Sequence, residues 1–316
     1  MDRVIERILP PRVMTALERC FADRRARLQA IRMRRGRPLI AVVDGEELFV
    51  GPNGFCRHAE AALKPTGREI GDTLSQATQG SVYAVEDQLR RGYVTLPGGH
   101  RLGIAGQAVV DNGRVKRVTH ISAIHLRIAH QIKGCADSIV RQICPDRLPY
   151  HTLLIGPPGS GKTTVLRDLV RQLADGHAER PGLQVGIADE RSEIAGSYQG
   201  EPQLDVGQRT DVIDSCPKAI AMMMLVRAMG PDVVACDEIG AEEDVAAVED
   251  VARCGVRLVA TAHGNSLEEL RRRPLFARLL ETGVFERVVI LSRRSGPGTV
   301  ERIVAVNETP LAAQVK

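Results

Sequence analysis

The stretch HTLLIGPPGSGKTTVLRDLV, His151 to Val170, constrains this chain more than any other. An apolar run, Leu153 to Ile155, passes into a glycine-rich loop and then into an amphipathic helical pattern. Gly156, Gly161, Lys162 and Thr163 stand there in the spacing G-x-x-x-x-G-K-[ST] of a phosphate-binding loop. Glycines let backbone N–H groups turn inward around a phosphate, and the following helix adds the positive end of its dipole. The expected cradle runs from Gly156 through Pro157, Pro158, Gly159, Ser160 and Gly161 to Lys162, Thr163 and Thr164. Lys162 is placed to reach the β- and γ-phosphates and Thr163 to ligate Mg²⁺. The segment therefore implies a nucleoside triphosphate, ATP, and Mg²⁺.

From this loop onward, strand and helix patterns alternate, as in a parallel sheet covered on both faces. Strands are expected at 151–155, 184–188, 232–236, 257–262, 286–291 and 300–306, and helices near 162–174, 217–229, 242–253 and 267–281. The first half reads as α+β. It has short strands at 28–34, 38–43 and 46–50, a helix over 72–91 capped by Asp72 or Thr73, and a strand meander turning at Gly98-Gly99 and Asn112-Gly113. The segment 121–130 is one further strand and 135–143 a helix. CPDRLPY, Cys144 to Tyr150, marks the boundary, giving domains 1–148 and 149–316. The last ten residues are expected to fray.

Two acidic clusters each follow an expected strand. Asp237 and Glu238 close PDVVACDEIG, where Asp237 can support Mg²⁺ with Thr163 and Glu238 can activate the attacking water. Capping of the next helix is the plainer role for the same carboxylates. Asp189, Glu190 and Glu193 cluster in GIADERSEIAG, and Glu190 and Glu193 face the nucleotide unless Arg191 neutralises them in a solvated turn. His263 ends the apolar strand of VRLVATAHGNS. Ligands of parallel α/β sheets bind at the carboxyl ends of the strands, so the loop, both clusters and His263 converge on one edge. His263 is then placed to sense the γ-phosphate.

The net charge of +4 divides unevenly, +9 over residues 1–150 and −5 over the rest. A basic half suits nucleic acid, anionic lipid, an acidic partner, or arginines that serve a nucleotide. Arg32 to Pro38, RMRRGRP, is either such a contact or a solvated hairpin. With 3% aromatics and no Trp, stacking platforms for single strands are few. This argues against dedicated nucleic-acid binding, although a nucleic-acid-dependent ATPase of helicase or translocase type is the alternative reading. No apolar run is long enough to span a bilayer and no signal peptide opens the chain, so a cytoplasmic protein is expected. Seven scattered Cys, with no C-x-x-C pair, read as reduced thiols.

Together the segments GPPGSGKTT, DERSEIAG, VVACDEIG and TAHGNS resemble the secretion-ATPase superfamily, the motors of type II and type IV secretion and of type IV pili. That family combines a phosphate loop, an acidic Asp box, a Walker B strand and a His box. The longer segments DERSEIAGSYQGEPQLDVGQRTDVIDSCPKA and MMMLVRAMGPDVVACDEIGAEEDV narrow the resemblance to the stage III sporulation protein AA branch of spore-forming bacteria. The likeness implies a RecA-like P-loop NTPase core behind a smaller α+β N-terminal domain, assembled as a homo-hexamer with ATP between subunits. It also implies arginines of the N-terminal domain that complete the site, for which Arg101 and Arg127 are the positions carried over, with Arg209 a further candidate; ordinary strand-surface arginines are the plainer reading. Its implied role is to energise a channel between mother cell and forespore, from the mother-cell side, peripheral at the membrane beside a membrane-anchored sporulation channel protein. The cysteine-rich zinc insertion of the type II branch is absent here.

Overall fold

The computed structural model describes residues 3–21, 28–80, 85–177 and 180–306. The expected frayed tail lies outside them. The chain divides into two compact units, residues 1–130 and 131–316.

In the first unit α1 (Arg3–Ile8) and α2 (Pro11–Phe21) precede an antiparallel sheet. Its strands are β1 (Leu28–Arg34), β2 (Ile40–Val43), β3 (Glu46–Gly51), β4 (Gly54–Cys56), β5 (Tyr93–Thr95), β6 (Arg101–Asp111) and β7 (Arg114–Arg127). Their order is β4-β3-β2-β1-β7-β6-β5. Alternation sends Ile31, Met33, Leu102, Ile124 and Leu126 into a core shared with Ile5, Val13, Leu17 and Ile70. Between β4 and β5 lie α3 (Gly67–Ala77) and α4 (Glu86–Arg90), two helices where one was expected over 72–91. Thr66, not Asp72 or Thr73, begins α3. Its hydroxyl accepts from the Glu69 N–H at 3.2 Å while Glu69 Oε2 accepts from the Thr66 N–H at 2.7 Å, a capping box. The helix ends before Gln79 and Gly80, both at positive φ. The expected strand over 121–130 is the second half of β7, which forms one long hairpin with β6 about Asn112-Gly113.

The second unit opens with α5 (Asp137–Ile143), then β8 (Thr152–Gly156), α6 (Lys162–Asp175) and the small hairpin β9 (Gly176–His177) and β10 (Arg180–Pro181). There follow β11 (Val185–Asp189), β12 (Thr210–Asp214), α7 (Lys218–Met229), β13 (Val233–Cys236), α8 (Glu242–Arg253) and β14 (Arg257–His263). Two helices, α9 (Leu267–Arg272) and α10 (Pro274–Glu281), and two strands, β15 (Arg287–Ser292) and β16 (Thr299–Ala305), complete it. The sheet order is β12-β11-β13-β14-β8-β15-β16, parallel from β12 to β15. β16 runs antiparallel to β15, because six residues cannot make the crossover a parallel return needs. β8, β11 and β13 are buried throughout, as strands covered on both faces must be.

Three further differences have local causes. The edge strand β12 was not expected; its five residues are only half buried and read as part of a polar loop. The helix expected over 267–281 breaks at Arg273, because Pro274 cannot donate to the preceding turn and instead starts α10. The division between units falls at 130/131, ahead of the proline-rich stretch expected to separate the domains. α5 lies on the later side, burying Ile139 and Ile143 among Leu154, Leu166, Leu169 and Val170.

Candidate active site

β8 delivers Gly156 to the carboxyl edge of the sheet and α6 begins at Lys162, so the five-residue loop between them must fold back on itself. Gly159 and Gly161 do this at φ 72° and 85°. A Cβ on Gly161 would stand 2.8 Å from the Gly298 nitrogen, so both backbone and space demand glycine there. The β15–β16 turn braces the loop from outside, with the Gly298 N–H donating to Ser160 O at 2.7 Å. Beneath it the Ser160 hydroxyl is buried without a hydrogen-bond partner.

Lys162 is buried, and its ammonium donates to Gly156 O at 3.1 Å and Pro157 O at 3.2 Å. Burial lowers its pKa, while Asp237 and Glu238 pull the other way. Among the described residues it makes no ion pair. Thr163 Oγ donates to Asp237 Oδ2 at 2.6 Å. The other Asp237 oxygen accepts from the hydroxyl of Thr261, which also accepts the Glu238 N–H at 2.9 Å. Glu238 carries φ 53°, left-handed backbone that is uncommon outside glycine. Its Oε1 lies 3.2 Å from His263 Nε2 and its Oε2 2.6 Å from Arg191 Nη1. His263 Nδ1 stands 3.3 Å from Lys162 Nζ. An ammonium can only donate, so Nδ1 is the acceptor, and the imidazole proton sits on Nε2 facing Glu238. Lys162, His263, Glu238 and Arg191 thus form one chain of contacts.

The second acidic cluster is organised around Asp189. Its buried carboxylate accepts N–H bonds from Glu193 at 2.8 Å, Ile194 at 3.1 Å and Ala195 at 2.8 Å, pinning the loop. Burial pushes its pKa up to about 6 against the pull of those donors. From the opposite side Arg167, buried on α6, donates to Ile194 O and, at 2.6 Å, to Glu193 O. Glu190 meets Lys218 at 2.7 Å; burial pushes its pKa up, but the side-chain and backbone bonds and charge of Lys218, with the charge of Arg191, together hold the carboxyl below the usual range. Asp189, Glu190, Arg191, Glu193, Lys218, Asp237 and Glu238 line one small cavity.

The expected convergence at one edge is therefore present for the loop, Glu190, Glu193, Asp237, Glu238 and His263. The helix-capping alternative does not describe Asp237 and Glu238, since Asp244 caps α8 by accepting from Gly240 and Ala241. Arg191 pairs with Glu238, across the cavity from its own cluster. Arg209 is not part of the constellation. It lies at the opposite edge, just before β12, and donates to Ala174 O at 3.1 Å. Arg101 and Arg127 belong to the first unit, directly opposite one another on β6 and β7. Arg101 stacks on Tyr93 with its guanidinium carbon 3.6 Å from the ring centroid. Nearby on β7, burial and then Arg32, Arg127 and Arg34 lower the His125 pKa to about 4 against the pull of Glu47, which pairs with Arg32 at 3.3 Å. Thr261, Arg167 and the Gly296–Gly298 turn escaped sequence reasoning. Only the RSGPG spacing, an unusual glycine-proline cluster between strands, carried a signal.

Thr163 and Asp237 present hard oxygen donors side by side at the mouth of the phosphate loop, which fits Mg²⁺. Among the described residues no three or more His, Cys, Asp or Glu are grouped to hold a metal.

This parallel sheet, with a glycine-rich loop between β8 and α6 and carboxylates just past the ends of β11 and β13, is a RecA-like α/β core. Two solved structures share the fold. The Legionella pneumophila ATPase DotB matches at TM-score 0.53 and 18% identity, over 83% of this chain and 71% of that one. The pilus retraction motor PilT matches at TM-score 0.55 and 17% identity, over 84% and 74%. The chain belongs to the family Sporulation stage III, protein AA, whose model matches residues 2–309. Stage III sporulation protein AA of Bacillus subtilis (strain 168) is 38% identical over 303 residues, 96% of this chain and 94% of that protein.

Proposed function

We propose that this protein is a Mg²⁺-dependent ATPase of the secretion-ATPase type, hydrolysing ATP to ADP and phosphate. One observation carries the reading. Lys162, Thr163, Asp237, Glu238 and His263 come from three separate strand ends, yet are linked by contacts of 2.6–3.3 Å.

In this reading the loop N–H groups and the Lys162 ammonium hold the phosphates. Among the described residues Lys162 has only carbonyls and an imidazole as close hydrogen-bond partners, and a phosphate is a better counter-charge than these. Thr163 and Asp237 hold Mg²⁺, which when bound neutralises charge on the phosphate oxygens. Glu238 takes a proton from water as the water oxygen bonds to the γ-phosphorus. The bond to the bridging oxygen breaks, and its electron pair stays on ADP. His263 fixes Glu238 through Nε2 and touches Lys162 through Nδ1, so displacement of Lys162 by phosphate is felt at the base. Glu190 and Glu193 assist from the pinned loop. Arg101 and Arg127, offered by a second copy, complete the site within a homo-hexamer.

The likeness to the B. subtilis sporulation protein supports work at a mother cell–forespore channel, the protein lying peripherally on the mother-cell side beside a membrane-anchored partner. No helix among the described residues is long and apolar enough to cross a membrane. Titration calorimetry with ATP and Mg²⁺ tests the site. The parent chain should bind, and Lys162→Ala should lose binding by at least about 100-fold, a reasonable toll for one buried charge contact to phosphate. Equal affinities would contradict the assignment.

A further inference from the structure

In this state both oxygens of Glu238 are engaged, one by His263 and one by Arg191. A carboxylate so occupied is poorly free to accept a proton from water. The arginine that occupies it is unlike its neighbours on the same loop. Glu190 is held by Lys218 at 2.7 Å, Ser192 donates to Asp214 at 2.6 Å, and the Glu193 N–H donates to buried Asp189 at 2.8 Å. The backbone on either side of Arg191 is thus clamped. Its side chain is 60% exposed and, among the described residues, bonded only at its tip. A rigid mount therefore carries one long cation that can reorient at little cost, because an exposed ion pair is weak.

Two cations, Lys162 and Arg191, flank the chain of contacts through His263 and Glu238. A terminal phosphate entering beside Lys162 brings more negative charge than Glu238 offers, in oxygens that suit a guanidinium fork. We infer that Arg191 is a further catalytic residue, a cation from the same subunit that leaves Glu238 for the terminal phosphate of ATP. The move frees Glu238 Oε2 to take the proton and brings positive charge to the oxygens where it builds during transfer. ADP, lacking that phosphate, leaves Arg191 on Glu238 and the base blocked. This rests on the ATPase reading above and adds to it how the site separates ATP from ADP.

The test compares Arg191→Ala and Arg191→Lys with the parent full-length chain, reading kcat, KM and the displacement of a fluorescent ADP analogue by ATP and by ADP. Arg191→Ala should lower kcat by about 100-fold, the toll of removing one donor to developing charge. It should also erase most of the preference for ATP while leaving ADP affinity unchanged. Arg191→Lys, which keeps the charge but not the fork, should recover part of kcat. An Arg191→Ala enzyme with unchanged or raised kcat and an unchanged ATP preference overturns the inference and leaves Arg191 as a mere partner of Glu238. A parent chain that binds neither nucleotide overturns the ATPase reading, and this inference with it.

Discussion

Thr261 and Asp189 do the least conspicuous work in the site, and each yields a measurable consequence. Glu238 sits at φ 53°, a conformation that costs a non-glycine residue about 1 kcal/mol and persists only where its surroundings hold it. Thr261 is that surrounding. Its hydroxyl accepts the Glu238 N–H and donates to Asp237, so one buried group sets both the proposed base and the carboxylate proposed to hold metal. Thr261→Val keeps the shape and removes both bonds. Turnover should fall by about tenfold, equivalent to one hydrogen bond of about 1.4 kcal/mol, in steady-state ATP hydrolysis. Asp189 gives a pH signature. Its folded pKa of about 6 exceeds the ordinary carboxyl value, so between the two the native state holds the proton more tightly than the unfolded chain. The stability it contributes is present below the unfolded pKa and is lost as pH rises through the folded one. In urea denaturation the parent chain's advantage over Asp189→Asn should shrink by about 3 kcal/mol between pH 4 and 7, the worth of roughly two pKa units. A flat difference would contradict it.

At the scale of elements, what was legible in the sequence was whatever burial writes into residue type. β8, β11, β13 and β14 stand out because a strand covered on both faces must be apolar along its length. The phosphate loop stands out because its backbone path admits little but glycine at two positions. The edge strand β12 was hidden because its register with β11 is written by sheet hydrogen bonds, not by composition. The place of Arg209, just before β12, was hidden for the same reason. Thr261 was invisible as an anchor because a threonine inside a β-branched strand is unremarkable until its register beside Asp237 is known. α5 shows the limit of punctuation as a guide. Proline marked a break after it, but its apolar face belongs to the sheet that follows. Ile139→Ala should therefore cost about 3 kcal/mol, the usual toll of emptying a fully buried site. Hydrogen exchange should quicken in β8 and α6 and stay unchanged in β1 to β4. Loss of protection in β1 to β4 instead would contradict the division at 130/131.

For the whole molecule, two units divide the labour that the charge asymmetry announced. In the proposed reading the acidic second half carries the nucleotide chemistry, while its own Arg167 donates to the Ile194 and Glu193 carbonyls and its Arg191 pairs with Glu238. The first unit concentrates basic groups on one face, where Arg32, Arg101 and Arg127 surround a His125 that resists protonation. In the proposed assembly this face meets an anionic partner, nucleotide bound to another copy. The same face would suit a nucleic acid, so the central claim is best tested where the two accounts part. Steady-state ATP hydrolysis by the purified chain, with and without single-stranded DNA or RNA, should give a Mg²⁺-dependent rate that nucleic acid does not raise. In Glu238→Gln that rate should fall by at least about 100-fold with ATP binding intact, the share of rate carried by a general base. Full activity in Glu238→Gln, or no hydrolysis by the parent chain alone but strong stimulation by nucleic acid, would contradict the account.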